Sequence, residues 1–152
     1  MRMEEKIIEQ ITDEKIIREI LTCFTPYLRS LRAGKVEKDA LAQKYAKYGI
    51  VLRLVSDKHS VAFASFYCND VVSKIGYLSM IAVLPEYERH GYGSLLMHKI
   101  FDIMHTHGML KLRLEVNKNN AGAIRFYEKL GFKPIEKESA DSAYMEIVLT
   151  DD

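Results

Sequence analysis

Ile81-Ala82-Val83-Leu84-Pro85-Glu86-Tyr87-Glu88-Arg89-His90-Gly91-Tyr92-Gly93-Ser94 joins two different periodicities. Ile75 to Leu84, at whose end it begins, reads as a long strand, rich in β-branched and aromatic residues. A polar loop follows. Two glycines then open a run in which Leu96, Ile100, Ile103 and Met104 recur at helical spacing. A helix start carries backbone N–H groups with the positive end of the helix dipole behind them, an arrangement that binds anions. Glycine lets such a backbone approach a phosphate closely, because no Cβ intervenes. The stretch therefore reads as strand, phosphate cradle, helix. Two other phosphate loops are excluded. A P-loop needs a Lys and a Ser or Thr after its last glycine, whereas this chain continues Ser94-Leu95-Leu96. Glu115 follows at about the distance a dinucleotide-binding fingerprint requires, but Leu96 stands at its third glycine position. Pro85 to His90 also separate the strand from the first glycine.

Upstream, Ile16, Ile17, Ile20, Leu21, Phe24, Tyr27, Leu28 and Leu31 follow a helical period. Thr12 or Asp13 caps that helix, and Pro26 kinks or divides it. A second helix carries Leu41, Tyr45 and Tyr48 and stops at Gly49. Ile50–Val55 and Val61–Tyr67 read as strands about an Asp57-Lys58-His59 turn, with Asn69-Asp70 as the next turn. Downstream, Leu110–Val116 alternates as a strand, and Ala123, Ile124, Tyr127 and Leu130 line a helix closed by Gly131. Phe132–Glu136 and Ala143–Leu149 read as two final strands. The expected order is ααβββαβαββ, an α+β fold with a mixed, mostly antiparallel sheet flanked by helices, in a single domain over 1–152.

The chain of 152 residues is long enough for one hydrophobic core. A formal net charge of +1, from 22 basic and 21 acidic residues, gives no overall footprint for nucleic acid. No apolar run approaches the ~18 residues of a membrane span. Met1-Arg2-Met3-Glu4-Glu5-Lys6 lacks the apolar stretch of a signal peptide, so a soluble cytoplasmic protein is expected, monomer or homodimer. Cys23 and Cys68 form no C-x-x-C pair and read as two reduced core thiols. His98, Asp102 and His105 share a helix face by spacing, but that face reads as solvated, and no metal is expected.

The Glu88-Arg89-His90-Gly91-Tyr92-Gly93 window resembles motif A of the GNAT superfamily, the Arg/Gln-x-x-Gly-x-Gly/Ala turn that holds the pyrophosphate of coenzyme A. Glu88 departs from that pattern, which leaves the backbone donors of Arg89, His90, Gly91, Tyr92, Gly93 and Ser94 to carry the contact. The stretch from Leu114 to Phe132 resembles motif B, with Asn120, Ala123, Tyr127, Gly131 and Phe132 in their places, and is similar to ribosomal-protein N-terminal acetyltransferases. The resemblance implies an N-acetyltransferase with acetyl-CoA as cosubstrate, acting on a primary amine of a small molecule or a protein N-terminus by direct transfer. The main chain of Ile81, Ala82 and Val83 would meet the pantetheine arm and the acetyl carbonyl, with Ile81 N–H as a donor to the carbonyl oxygen. Asn120 and Ala123 would bind the cofactor, and Tyr127 and Glu115 would be catalytic.

The residues also carry plainer readings. Ile81 and Val83 are core side chains by composition, Asn120 or Asn119 is a helix N-cap, and Tyr127 sits on an apolar helix face. Glu115 shares a strand face with Lys111 and Arg113, and reads equally as a surface carboxylate paired with Arg113. An alternative of another class is a non-catalytic acyl-CoA-binding sensor or assembly module; a further one keeps the fold but acetylates a hydroxyl or a lysine. The two N-terminal helices and the loops near Asp70 and Glu138–Ser142, expected to select the acceptor, match no motif with a physical reading.

Overall fold

Seven strands and five α-helices occur among the residues described by a computed structural model, 6–34 and 36–149 with the side chain of Glu138 excepted. Met1–Glu5, most of the stretch read above for a leader, lies outside them. The chain divides into two compact units, Met1–Phe66 with Met80–Ile100, and Tyr67–Ser79 with Phe101–Asp152.

The first unit begins with β1 (Lys6–Ile11), which the sequence reading did not contain. It pairs antiparallel with β2 (Ile50–Ser56), Glu9 opposite Arg53, and those side chains meet at 2.9 Å. Ile7, Ile8 and Ile11 alternate with Lys6, Glu9 and Gln10 in no two-residue period, so the segment's own strand signal is weak and the neighbour it pairs with decides it. β3 (His59–Tyr67) continues the antiparallel meander across a turn at Asp57 and Lys58, both at positive φ. α1 (Glu14–Phe24) is capped by Asp13, whose carboxylate accepts from Ile16 N at 3.1 Å. It buries Ile17, Ile20, Leu21 and Phe24, the i, i+3, i+4, i+7 face, and Phe24 meets Phe63 of β3 with ring centroids 4.9 Å apart. As expected, the helix stops before Pro26, which lies in a 3-10 turn (Thr25–Tyr27) ahead of a one-turn α2 (Arg29–Arg32). α3 (Lys38–Tyr48) ends at Gly49 and buries Ala42 and Tyr45. Cys23 is exposed, which corrects its reading as a core thiol; Cys68 is buried.

β4 (Ile75–Val83) and α4 (Tyr92–Thr106) each contribute to both units. In the second unit β4 pairs parallel with β5 (Lys111–Asn117) over Ile75–Leu78 against Lys111–Leu114. β5 then pairs antiparallel with β7 (Ser142–Val148), and β7 with β6 (Lys133–Glu138). Leu112, Leu114 and Met145 are buried on one face. Gly76 lets α4 approach on that side: a Cβ there would lie 2.3 Å from Met104 Sδ and 3.3 Å from the Tyr67 carbonyl oxygen. α5 (Ala121–Leu130) closes at Gly131, at φ +106°, with Phe132 N donating to the Tyr127 carbonyl at 3.0 Å. The observed order, βαααβββαβαββ, differs from the expected one at its start, by β1 and by division of the first helix.

Candidate functional site

In the first unit the strand end and the cradle form one continuous segment. Ile81, Ala82, Val83 and Leu84 are all half-buried, so Ile81 and Val83 are not the plain core residues that composition suggested. Arg89 at φ +66° and Gly91 at φ +78° are left-handed at alternate positions. Left-handed residues interleaved in such a turn make successive N–H groups converge, a concave anion-binding backbone. α4 follows at once, its first ladder bond running from Leu95 N to Gly91 O at 3.0 Å, so the opening turn supplies N–H groups that the helix itself does not use. A Cβ built on Gly91 meets nothing within 4 Å.

Aromatic packing holds this turn in shape. Tyr92 is buried, and the His90 ring stacks on it at 5.3 Å, with Tyr87 6.4 Å away and its plane inclined by 29°. His90 Nδ1 lies 2.8 Å from the Tyr87 carbonyl oxygen and 2.9 Å from that of Glu88. Both oxygens only accept, so Nδ1 carries the proton. The ring of His90 and that of Tyr92 thus brace the loop, and what they offer a ligand is main chain. Glu88, Arg89 and His90 are exposed; Gly93 and Ser94 are half-buried.

The second unit carries the other expected residues. Asn120 is the α5 cap, its Oδ1 accepting from Ala123 N at 3.1 Å. The side-chain NH₂ has no partner among the described residues and keeps two donors for a ligand. Asn119 is not the cap. Tyr127, about two turns on, is 8% exposed and packs on Phe132 and Phe126 with centroids 5.6 and 5.4 Å away. Its hydroxyl has no hydrogen-bond partner among the described residues. Among the described residues Ser65 Oγ is the one fully buried side-chain N or O without a partner, so Tyr127 Oη keeps contact with solvent. Burial pushes the phenol up to about 12. A buried ring with an accessible, unpartnered hydroxyl is not what core packing alone selects.

Glu115 is exposed on the polar face of β5, as its alternation predicts. Its expected pairing with Arg113 is not made. Arg113 instead bonds Glu146 of β7, directly opposite, at 2.5 Å, and Lys111 reaches the same carboxylate at 3.4 Å. Burial raises the pKa of Glu146, but the bonds and charges of Arg113 and Lys111 outweigh it and hold the group below the usual carboxylate range. Glu115 faces Tyr144, whose hydroxyl donates to Oε2 at 3.4 Å. Tyr144 and Glu146 were missed from sequence. Alternation along Ala143–Val148 would have put both on the polar face, but no local signal names β5 as the neighbouring strand.

The expected residues thus fall into two sets. Ile81, Ala82, Val83 and Arg89–Ser94 belong to the first unit, and Glu115, Asn120, Ala123 and Tyr127 to the second. Among the described residues no group of three or more His, Cys, Asp or Glu is arranged to hold a metal, and no helix is long and apolar enough to cross a membrane.

The profile of the acetyltransferase (GNAT) family matches residues 14–132. The [ribosomal protein bS18]-alanine N-acetyltransferase of Salmonella typhimurium is 41% identical over 81 residues, 53% of this chain and 53% of that protein. The chain spans about half the length of the named relatives it matches. Among solved structures, the ribosomal-protein-S18-alanine N-acetyltransferase of Escherichia coli superposes with a TM-score of 0.74 at 22% identity, covering 96% of each chain. The PaiA N-acetyltransferase of Thermoplasma acidophilum, solved in complex with coenzyme A, gives 0.69 at 20% identity, over 93% of this chain and 99% of that one. At these identities the two structures establish likeness of fold.

Proposed function

The chain belongs to the acetyltransferase (GNAT) family, and on that premise we propose that it transfers an acetyl group from acetyl-CoA to a primary amine, the N-terminal alanine of a protein being the favoured acceptor. The observation that carries the cofactor half is the turn from Arg89 to Ser94. Two left-handed residues and a helix start follow one another there, the backbone pattern that gathers main-chain donors for an anion, and a Cβ on Gly91 would meet open space. The acceptor half rests on the relatives, which are named for an alanine of a ribosomal protein. A single acetyltransferase domain and a cytoplasmic location are parts of the same proposal.

Bound acetyl-CoA supplies an activated acyl carbon and a thiolate leaving group. Ile81 N–H donates to the carbonyl oxygen as charge builds on it, and the donors of Arg89–Ser94 hold the pyrophosphate. The NH₂ of Asn120 donates to the pantetheine arm. Glu115 draws in the acceptor as its ammonium form and, once one proton has left to solvent, takes the second from the attacking nitrogen, directly or through water. Tyr127 Oη donates a hydrogen bond to the departing sulfur. Hydrogen-bonding and acid–base groups on both sets of residues favour catalysis over a passive sensor.

The test uses the purified chain, acetyl-CoA, and a panel of an alanine-initiated peptide, an N-acetylated peptide with a free lysine, and spermidine. Thiol release is expected with the alanine peptide, carrying acetyl at its α-nitrogen. Gly91→Ala costs ~1–2 kcal/mol in backbone strain, so the variant stays folded. Its affinity for coenzyme A by calorimetry is expected to fall by about tenfold or more, which is ~1.4 kcal/mol. Binding without thiol release from any amine would turn the reading to a sensor. Normal affinity in folded Gly91→Ala would confine the glycine to turn geometry.

A further inference from the structure

The polar face of β5 and β7 keeps one carboxylate out of the ion pairs on a surface rich in cations. Lys111, Arg113 and Glu115 point to this face from β5, and Tyr144 and Glu146 from β7, with Arg113 opposite Glu146 and Glu115 opposite Tyr144. From β6, Lys133 registers with Glu146, and Lys137 Nζ lies 5.0 Å from the Tyr144 ring centre. On β4, Tyr77 stands opposite Arg113. Arg113 is two residues from Glu115 on the same strand face, within reach of its side chain. Yet Glu146 takes both Arg113 and Lys111. Glu115 keeps one partner among the described residues, a neutral phenol.

We infer that Tyr144 and Glu146 are positioning residues for Glu115, Tyr144 fixing its carboxylate and Glu146 holding Arg113 and Lys111 away from it. The inference rests on the assignment of Glu115 as the group that receives the amine. A carboxylate neutralised by Arg113 would repay an incoming ammonium with less attraction, and would have to surrender a charged partner to accept its proton. A phenol donor costs no charge. It occupies Oε2 and leaves Oε1 to the acceptor nitrogen or its water. Burial first, then the charge and hydrogen bond of Glu115, raise the Tyr144 pKa above its ordinary value, so Tyr144 remains a donor over the working pH range. The Lys137 ammonium over its ring restricts where that hydroxyl can point. In the step itself the ammonium has first lost one proton to solvent; the free amine nitrogen forms a bond to the acyl carbon, the nitrogen's second proton passes to Glu115, and the carbon–sulfur bond breaks with its electrons on sulfur, which takes a proton from solvent.

The test is a mutant cycle in the full chain, with acetyl-CoA and the alanine-initiated peptide, or whichever amine the wild-type protein accepts best. Tyr144→Phe keeps the ring and the Lys137 contact and deletes the hydroxyl. It should lower kcat by about fivefold to tenfold, the scale of one hydrogen bond. Glu146→Gln releases two cations toward Glu115 and should raise KM for the amine by a similar factor, with KM for acetyl-CoA unchanged. In a Glu115→Gln background both effects should vanish, because residues that act through one group are not additive. A structural role would leave the losses undiminished in that background, and this result would overturn the inference. So would single variants within twofold of wild type beside an impaired Glu115→Gln. If Glu115→Gln itself turns over normally, the base assignment falls and the inference falls with it.

Discussion

Tyr127 is held between two demands. Burial of the ring raises its pKa to about 12, which keeps the proton on oxygen but makes it harder to give away. A thiol of the cysteine class sits at ~8.5, so full transfer of that proton to a thiolate runs uphill by about 3.5 units, roughly 5 kcal/mol. The hydroxyl is therefore suited to donating a hydrogen bond to the sulfur, with the final proton coming from solvent. Tyr127→Phe should leave the contacts with Phe126 and Phe132 intact and change stability by no more than ~0.5 kcal/mol, because the hydroxyl has no partner to lose among the described residues. Turnover should drop by about tenfold to a hundredfold. The measurements are thermal unfolding and kcat at saturating acetyl-CoA; unchanged kcat with chemistry rate-limiting would remove Tyr127 from the mechanism.

At the scale of elements, two helix starts carry the proposed cofactor contacts, and each uses its cap differently. α4 opens on main chain alone, with Gly91 as its first acceptor. α5 opens on a side chain, and Asn120 splits its amide between the two tasks: the oxygen caps the helix, and the nitrogen is left for a ligand. Asn120→Asp separates them. Aspartate caps as well as asparagine and its charge suits a helix N-terminus, so stability should hold or rise slightly. Both NH₂ donors are lost and a negative charge arrives, so affinity for coenzyme A should fall severalfold in calorimetry. If affinity is unchanged, the asparagine is a cap and nothing more.

For the whole molecule, two buried acids set the alkaline limit. Burial raises Cys68 from 9.0 to about 11 and Tyr127 from 10.0 to about 12. Each is neutral when protonated, so the folded state resists ionisation while the unfolded chain accepts it. Their contribution is whole below pH 9, shrinks through 9 to 11 for Cys68, and through 10 to 12 for Tyr127. For Tyr127 the full loss is roughly 2–3 kcal/mol. Urea midpoints should stay flat from pH 7 to 9 and then decline, less steeply in Tyr127→Phe above pH 10; parallel curves for the two proteins would mean the phenol titrates normally.

What the sequence determined by itself was whatever a short window of chain decides. The helical stripe Ile17–Ile20–Leu21–Phe24, the stops at Gly49 and Gly131, the cap at Asn120 and the two polar-to-glycine turns all follow from contacts between residues a few positions apart. Spacing encodes those contacts directly, and the family motifs lie within them. Tertiary structure alone decided the rest. β1 exists because Glu9 and the backbone around it meet Arg53, a partner 44 residues away. Arg113 bonds Glu146, 33 residues on, rather than its strand-mate Glu115, because β7 lies beside β5 in that register. Half-exposure of Ile81–Val83 and the solvent-facing thiol of Cys23 belong to the same class. Such pairings are chosen by the free energy of the assembled chain, in which a surface cation takes the acid that the sheet places opposite it, and no local pattern carries that choice.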